Sequence, residues 1–150
     1  METNRGYYAI GIVGGKSAAN VGTLWRSAFV LGAAFIFTAG HRYPKQPTDT
    51  VKTWKHLPFY EYDSADDLFD HLPSDCVPVA VELDEKSRPL ARYTHPERAI
   101  YLLGAEDKGL TKPVLARCRD IVQIPGDNSL NVAAAGTVVL YDRIAKTSRT

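Results

Sequence analysis

The chain has 150 residues, a formal net charge of +1 and 45% apolar residues. This length suits one domain, residues 1–150, and the apolar content is high enough for a buried core, which excludes wholesale disorder. The longest apolar stretch, residues 28–39, is too short for a membrane span of about 20 residues, so no membrane partner is expected. Residues 1–6 lack a secretory signal pattern, and we therefore expect a cytoplasmic protein.

Metal-binding and disulfide chemistry is not indicated. The two cysteines, Cys76 and Cys118, belong to no CxxC motif, and the four histidines are scattered singly. A zinc site and a disulfide framework both require closer spacing.

Charge is distributed unevenly along the chain. Residues 1–56 contain seven Lys and Arg against two acidic residues, residues 57–90 contain two against nine, and residues 91–150 contain nine against six. The almost neutral total argues against a histone-like binder but allows local basic surfaces at both ends. An equally good interpretation of this uneven distribution is that the charged segments form solvated surfaces that bind no partner.

Six short runs of apolar and β-branched residues predict strands. In chain order they are residues 8–13, 33–39, 57–62, 77–81, 99–103 and 121–124. The polar residues 41–56 predict a long loop, and residues 82–96 predict a polar linker.

Four helices alternate with these strands. In chain order they begin at Asn20, Ser64, Thr111 and Ser129. Asn20 and Ser129 are predicted N-caps, Gly32 ends the first helix, and Pro113 lies in the first turn of the third. In three of the helices, apolar residues recur at helical spacing and form a stripe along one face. These stripes are Val21, Leu24, Ala28 and Leu31 in the first helix, Leu68 and Phe69 in the second, and Leu130, Ala134, Val138 and Tyr141 in the last. The last helix is predicted to end at about Lys146.

This alternation predicts an α/β fold, a mostly parallel sheet with helices on both faces. A ligand site in such a sheet lies outside the carboxyl ends of the strands. The turns at Gly14, Gly40, Gly104 and Pro125 are therefore expected close together.

A phosphate-binding loop is not expected, although residues 11–17 end in Gly-Lys-Ser. That loop requires a glycine where this chain has Ile10. The dinucleotide motif GxGxxG is also absent.

Three other segments fit one another better. They are Asn20-Val21-Gly22-Thr23-Leu24-Trp25-Arg26, then Leu102-Leu103-Gly104-Ala105-Glu106-Asp107-Lys108-Gly109-Leu110, then Ile124-Pro125-Gly126-Asp127-Asn128-Ser129-Leu130-Asn131-Val132. Their order and spacing resemble the motifs of the SpoU/TrmH branch of the SPOUT superfamily, RNA ribose 2′-O-methyltransferases that use S-adenosylmethionine and release S-adenosylhomocysteine. The resemblance extends from about Tyr8 to Arg143.

The resemblance implies an α/β-knot fold, with a deep trefoil knot in its C-terminal part, and a homodimer. The small residues 133–136 on the last helix would allow another backbone to come close, although helix-on-sheet packing within one subunit explains them equally well. The resemblance also implies no metal.

The resemblance further implies a pocket for the methyl donor. Its expected residues are Glu82, Leu83, Gly104, Ala105, Gly109, Ile124, Ser129 and Leu130. At the position of Glu82 the family often has an apolar residue. We expect Glu82 to contact the donor through its backbone atoms or to hold the ribose of the donor. The loop at residues 126–128 is shorter than in many relatives, and we expect this to narrow the donor pocket or to change how the RNA ribose enters it.

The resemblance implies that Arg26 is the catalytic residue, and its position at helical spacing points it away from the core. The family resemblance casts it as the base that activates the 2′-hydroxyl. A guanidinium normally stays protonated, so a cationic role on phosphate or developing alkoxide is at least as well founded. Four further residues complete the expected catalytic set: Asn20, Glu106, Ser129 and Asn131.

Each member of that set has a simpler structural interpretation. Asn20 orients Arg26 or the RNA phosphate, or is a plain helix cap. Glu106 fixes the turn of the second motif, or is a lone surface carboxylate. Ser129 and Asn131 are expected both to cap the last helix and to contact donor or ribose.

RNA contact is expected from the basic N-terminal third, together with Arg26. The residues are Arg5, Lys16, Arg42, Lys45, Lys52 and Lys55. Tyr43 and Trp54 lie among them and are candidates for stacking on unpaired bases, although Trp54 fits a core or dimer-interface position better.

The expected function is ribose 2′-O-methylation of RNA. The small size resembles that of the family's stand-alone tRNA enzymes, including those that act at the anticodon wobble nucleotide, and the resemblance therefore favours tRNA over ribosomal RNA. The alternatives are a ribosomal RNA methyltransferase, a catalytically silent knotted RNA-binding dimer, and another α/β small-molecule enzyme for which no motif is present.

Overall fold

The computed structural model describes residues 6–14, 18–40, 56–105, 108–126 and 130–147. The strands are β1 (Tyr7–Val13), β2 (Phe35–Ala39), β3 (Phe59–Tyr62), β4 (Val77–Val81), β5 (Arg88–Pro89), β6 (Arg98–Gly104) and β7 (Asp120–Gln123). The helices are α1 (Ala18–Val30), α2 (Ala65–Asp70), α3 (Lys112–Arg117) and α4 (Val132–Thr147), with a 3₁₀ turn at Leu90–Arg92.

The strands form one parallel sheet in the order β3-β2-β1-β6-β4-β7-β5. The predicted α/β class is confirmed. The interpretation of residues 82–96 as a linker is wrong, because β5 lies within them and pairs with β7 through Arg88 and Val122. A two-residue strand is too short to show the alternation from which strands are predicted.

Helices cover both faces of the sheet. Val21 and Leu24 of α1 share a buried cluster with Val139 and Leu140 of α4 on one face. The other face holds a second cluster, to which α2 contributes Leu68 and α3 contributes Val114 and Leu115. Because alternate residues of a strand point to opposite faces, Ile10 and Ile12 join the first cluster while Ala9 joins the second.

The sequence signals are met at the start of α2, the start of α3 and the end of α1. Ser64 caps α2, since its hydroxyl accepts a hydrogen bond from the Asp67 N–H at 3.0 Å. Pro113 lies in the first turn of α3 after Thr111, and Gly32 follows α1 with a φ of 82°. Asn20 is not the N-cap of α1, however, because the helix already begins at Ala18.

The start of α4 lies later in the chain than the predicted cap at Ser129, which is outside the described residues. Asn131 caps the helix, as expected, since its side-chain oxygen accepts hydrogen bonds from the N–H groups of Ala133 at 2.9 Å and Ala134 at 3.2 Å. The helix begins at Val132. Two cap-forming residues lie two positions apart in the sequence, and only the backbone path decides between them.

The stripe Leu130, Ala134, Val138 and Tyr141 does not face the core. Leu130, Val138 and Tyr141 are exposed, Tyr141 with 63% of its surface. The buried face of α4 consists instead of Val132, Ala133, Gly136, Val139, Leu140 and Arg143. Since α4 is apolar on two faces, its periodicity does not show which of them packs on the sheet.

Gly136 explains why the second face is buried. A Cβ atom at this position would lie 2.5 Å from Cδ1 of Leu24 in α1 and 2.9 Å from Cδ1 of Leu103 in β6. The missing side chain therefore lets α4 approach both α1 and the sheet. Ala133 and Gly136 pack within the subunit, as the second interpretation of these small residues expected, whereas Ala134 stays exposed.

A buried polar chain joins α4 to the segment before β6. The side chain of His95 is only 1% exposed. Its Nδ1 lies 2.6 Å from the Tyr101 hydroxyl, and its Nε2 lies 2.7 Å from the Asp142 carboxylate. Burial lowers the pKa of His95 although Asp142 opposes the shift. These partners fit the neutral ring, with Nε2–H donating to Asp142 and Nδ1 accepting from Tyr101.

The same chain continues to Arg143, which is buried. Its guanidinium donates to the Tyr101 hydroxyl at 3.1 Å and to the carbonyl of Pro96 at 2.7 Å, and it lies 4.5 Å from the centroid of the Tyr8 ring. These contacts hold the C-terminal half of α4 at the amino end of the sheet.

In the described part of the chain, no helix is long and apolar enough to cross a membrane. The trefoil knot stays a prediction.

Candidate active site

A pocket of about 260 Å³ opens at the carboxyl ends of three neighbouring strands, β6, β4 and β7. Its described lining residues are Val81, Glu82, Leu83, Leu103, Gly104, Ala105, Lys108, Gly109, Gln123, Ile124, Pro125, Gly126, Leu130, Val132 and Ala135. This is the position at which open α/β sheets bind ligands. Segments distant in sequence thus meet in one concave site.

The predicted donor residues gather here. Glu82, Leu83, Gly104, Ala105, Gly109, Ile124 and Leu130 all line the pocket. Ser129, the eighth, lies outside the described residues. The turns at Gly104 and Pro125 belong to the pocket. Gly14 and Gly40 lie together at the ends of β1 and β2, where the Gly14 N–H donates to Ala39 O at 2.8 Å, and β1 is paired with β6 through Val13 and Gly104.

The wall after β6 is a tight turn that only glycines permit. Ala105 and Gly109 form an antiparallel bridge, with the Gly109 N–H donating to Ala105 O at 2.8 Å. A Cβ atom at Gly104 would lie 2.5 Å from the Leu110 nitrogen, and Gly109 itself has a φ of +64°. Backbone therefore packs directly on backbone in this turn, and Gly104, Ala105 and Gly109 form one wall of the pocket.

Glu82, at the end of β4, packs against this turn. Its carboxylate fills the space that a side chain at residue 109 would need, and the Leu110 N–H donates to it. Burial raises the pKa of this carboxyl, the Leu110 hydrogen bond opposes the increase, and Asp84 adds to it. The side chain thus ties the end of β4 to the turn after β6.

Two of the predicted catalytic residues meet beside the pocket. The Asn131 amide donates to the side-chain oxygen of Asn20 at 3.0 Å, joining the starts of α4 and α1. Asn131 stands between Leu130 and Val132, which both line the pocket. The first and third motifs are therefore in direct contact.

Arg26 is exposed and does not line the pocket. It follows Asn20 by six residues, which turns the helix by about 240° and advances it by about 9 Å. Asn20 consequently faces α4, while Arg26 points to solvent from another face of α1. Within one subunit, the described residues do not bring Arg26 to the pocket.

Several predicted residues lie outside the described part of the chain. They are the catalytic candidate Glu106, the RNA-binding candidates Arg5, Lys16, Arg42, Lys45, Lys52 and Lys55, and the aromatic candidates Tyr43 and Trp54. Their roles stay predictions.

Other lining residues were not predicted individually. Lys108 and Gln123 add polar groups to the wall, while Val132 and Ala135 add apolar surface. Lys108 and Val132 lie inside the three motifs, and Gln123 is the last residue of β7. Membership of a motif and position at a strand end are therefore the sequence features from which these lining residues could have been predicted. Among the described residues, no group of His, Cys, Asp or Glu side chains could hold a metal ion.

The model of the SpoU rRNA Methylase family matches residues 8–141. The chain belongs to this family. The match includes all three motifs and every strand that contributes to the pocket, so the expected family resemblance is confirmed.

Two relatives are similar in sequence. An uncharacterized tRNA/rRNA methyltransferase from Archaeoglobus fulgidus is 28% identical over 130 residues, which are 81% of this chain and 57% of that protein. The 23S rRNA (guanosine-2′-O-)-methyltransferase RlmB of Acinetobacter baylyi is 36% identical over 67 residues, which are 43% of this chain and 27% of that protein. The chain thus spans little more than half the length of the first relative.

Two solved structures share the fold. The SpoU methyltransferase AviRb from Streptomyces viridochromogenes, in complex with AdoMet, has a TM-score of 0.83 at 24% identity, covering 97% of this chain and 59% of AviRb. A second structure, described as giving structural insights into the 2-OH methylation of C/U34 on tRNA, has a TM-score of 0.80 at 22% identity. The match covers 95% of this chain and 97% of the chain in that structure.

Proposed function

We propose that this protein transfers a methyl group from S-adenosylmethionine to a ribose 2′-hydroxyl of RNA. The observation that carries the proposal is the pocket at the carboxyl ends of β4, β6 and β7, which the second and third motifs line and the first motif joins through Asn20. The name of RlmB, which specifies 2′-O-methylation, and the AdoMet complex of AviRb support this chemistry.

The methyl donor would be held mainly by backbone and apolar groups. Gly104, Ala105 and Gly109 present peptide groups, while Leu83, Ile124 and Leu130 supply apolar walls. When bound, the donor supplies an electrophilic methyl group on a positively charged sulfur. The chain's own task is then to position the ribose hydroxyl in line with that methyl group and to assist its deprotonation.

Arg26 is proposed as the group that acts on the RNA. As an exposed guanidinium it suits contact with a phosphate and with an oxyanion developing at the ribose. Since Arg26 does not reach its own pocket in the described residues, we place it at the pocket of a second copy of the chain.

A homodimer fits the exposed surface of the protein. Phe29 and Val30 of α1 and Val138 and Tyr141 of α4 are exposed, Val30 with 67% of its surface. α1 and α4 pack against each other on one face of the sheet, so these exposed side chains belong to neighbouring helices. Exposed apolar surface on neighbouring elements is typical of interaction sites in soluble proteins.

Transfer RNA is the proposed substrate. The structure associated with methylation of C/U34 on tRNA matches this chain over nearly its whole length, which includes the wobble nucleotide among the candidates. Ribosomal RNA is the second candidate, because RlmB acts on 23S rRNA. Both substrates fit a cytoplasmic enzyme.

The proposal is tested with purified protein, S-adenosylmethionine and separate unmodified tRNA and ribosomal RNA. Calorimetry measures donor binding, and mass spectrometry of the digested RNA detects 2′-O-methylated nucleosides. Donor binding without methylation of either RNA would indicate the catalytically silent dimer. Absence of donor binding, with and without RNA, would contradict the proposed chemistry.

Arg26 variants test its role in the same assay. Arg26→Ala is expected to lower methylation at least about 100-fold, as loss of a charge-stabilising group does in other enzymes, while donor binding is unchanged. Arg92→Ala, which removes another exposed arginine, is the control. If Arg26→Lys retains activity with a pH profile shifted downward, Arg26 acts as a base; a lower RNA affinity alone assigns it to phosphate binding.

A further inference from the structure

Glu82 is an unusual component of the pocket because it brings a carboxylate into a wall of mostly apolar and backbone groups. Among the described lining residues it is the single acidic side chain, and Lys108 is the single basic one. Glu82 is half-buried, whereas Lys108 is exposed. Solvent therefore weakens the field of Lys108 at the pocket more than that of Glu82.

The described part of the chain gives this carboxylate no cation. None of its Lys, Arg or His side chains forms a salt bridge with Glu82. Its neutral contacts are the Leu110 N–H and the backbone at Gly109. Half-buried charges are normally compensated, so a positively charged ligand is the natural complement.

We infer that Glu82 makes the pocket select the positively charged methyl donor over the neutral thioether product. This inference rests on the proposed function. Methyl transfer removes the positive charge from the sulfur of S-adenosylmethionine and leaves S-adenosylhomocysteine, while adenine, ribose and amino acid stay the same. A fixed negative charge in the pocket therefore distinguishes the two molecules and favours release of the product.

The size of the effect can be estimated from Coulomb's law. Glu82 and the donor share one pocket, and we take a separation of about 8 Å between the bound sulfur and the carboxylate. Two unit charges at that separation, with an effective dielectric constant of about 40, change an affinity about five-fold. The carboxylate has this effect whether or not it touches the sulfur directly.

The test compares three ligands by calorimetry: S-adenosylmethionine, S-adenosylhomocysteine, and sinefungin, which carries a protonated amine in place of the methylsulfonium. Glu82→Gln keeps the shape and the acceptor for the Leu110 N–H but removes the charge. We expect it to weaken S-adenosylmethionine and sinefungin about five-fold while S-adenosylhomocysteine changes less than about two-fold. Asp84→Asn, a neighbouring acidic residue that does not line the pocket, is the matched control.

Glu82→Ala is the second variant and is expected to reduce the preference by the same factor. Equal weakening of all three ligands by Glu82→Gln would overturn the inference, since it would assign Glu82 to the shared ribose or adenine. An unchanged preference in Glu82→Gln would also overturn it. If the wild-type protein binds none of the three ligands, the proposed function fails instead, so the two failures are distinguishable.

Discussion

Gly104 is the position where a single methyl group tests the pocket most directly. In Gly104→Ala the new Cβ would lie 2.5 Å from the Leu110 nitrogen and 2.7 Å from the Gly109 Cα, both backbone atoms. The Gly109 carbonyl carbon would lie closer still, and ordinary contact begins at 3.4 Å, so the turn has to retreat by about 1 Å. Overpacking of this kind costs about 1–3 kcal/mol of folding free energy, which lowers the melting temperature of a chain this long by about 3–10 °C.

The same retreat displaces the wall formed by Gly104, Ala105 and Gly109. We expect the affinity for S-adenosylmethionine to fall at least ten-fold, or about 1.4 kcal/mol, in calorimetric titration. Gly14→Ala is the control: Gly14 has a φ of +72° and no atom within 4 Å of an added Cβ, so it loses about 1–2 kcal/mol of stability to backbone strain alone. Donor affinity within about two-fold of wild type in Gly104→Ala would refute this account of the pocket.

Two further predictions concern assembly and stability. Tyr141→Asp puts a charge on the exposed face of α4 and is expected to convert the proposed dimer to monomers in analytical ultracentrifugation. The control is Tyr60→Asp, at a comparably exposed ring on β3, which is expected to leave the dimer intact. A dimeric Tyr141→Asp protein would exclude this interface. The second prediction concerns His95, whose pKa burial lowers below 6.5. On acidification the unfolded chain therefore takes up a proton before the folded chain does. Below about pH 6.5, the free energy of unfolding decreases by at most about 1.4 kcal/mol per pH unit. Urea unfolding of wild type and His95→Gln across this range should show a difference that shrinks as the pH falls; a constant difference would mean that His95 is not buried in its neutral form.

Much of the fold could be predicted because its signals are local. The short apolar runs, the cap at Ser64 and the stop at Gly32 each depend on a few neighbouring residues, and they appear where expected. Parallel strands place their carboxyl ends at one edge, so the motif turns could be expected near one another. The predicted donor residues that the structure describes accordingly share one pocket.

The packing of α4 could not be predicted in the same way. Both of its faces are apolar, and the choice depended on the space that Gly136 leaves for Leu24 and Leu103, residues more than 30 positions away in the sequence. The stripe containing Val138 and Tyr141 was consequently left exposed.

By itself, the sequence determined the α/β class, the strand ends that build the pocket and the family, because each is encoded in local periodicity or in ordered short motifs. Tertiary structure decided what depends on contacts between distant segments: the hydrogen bond from Asn131 to Asn20, the placement of Glu82 against the turn at Gly109, and the exposure of Arg26 away from its own pocket. The physical reason is that a side chain's neighbours are set by how the elements pack, and that packing is a property of the whole chain.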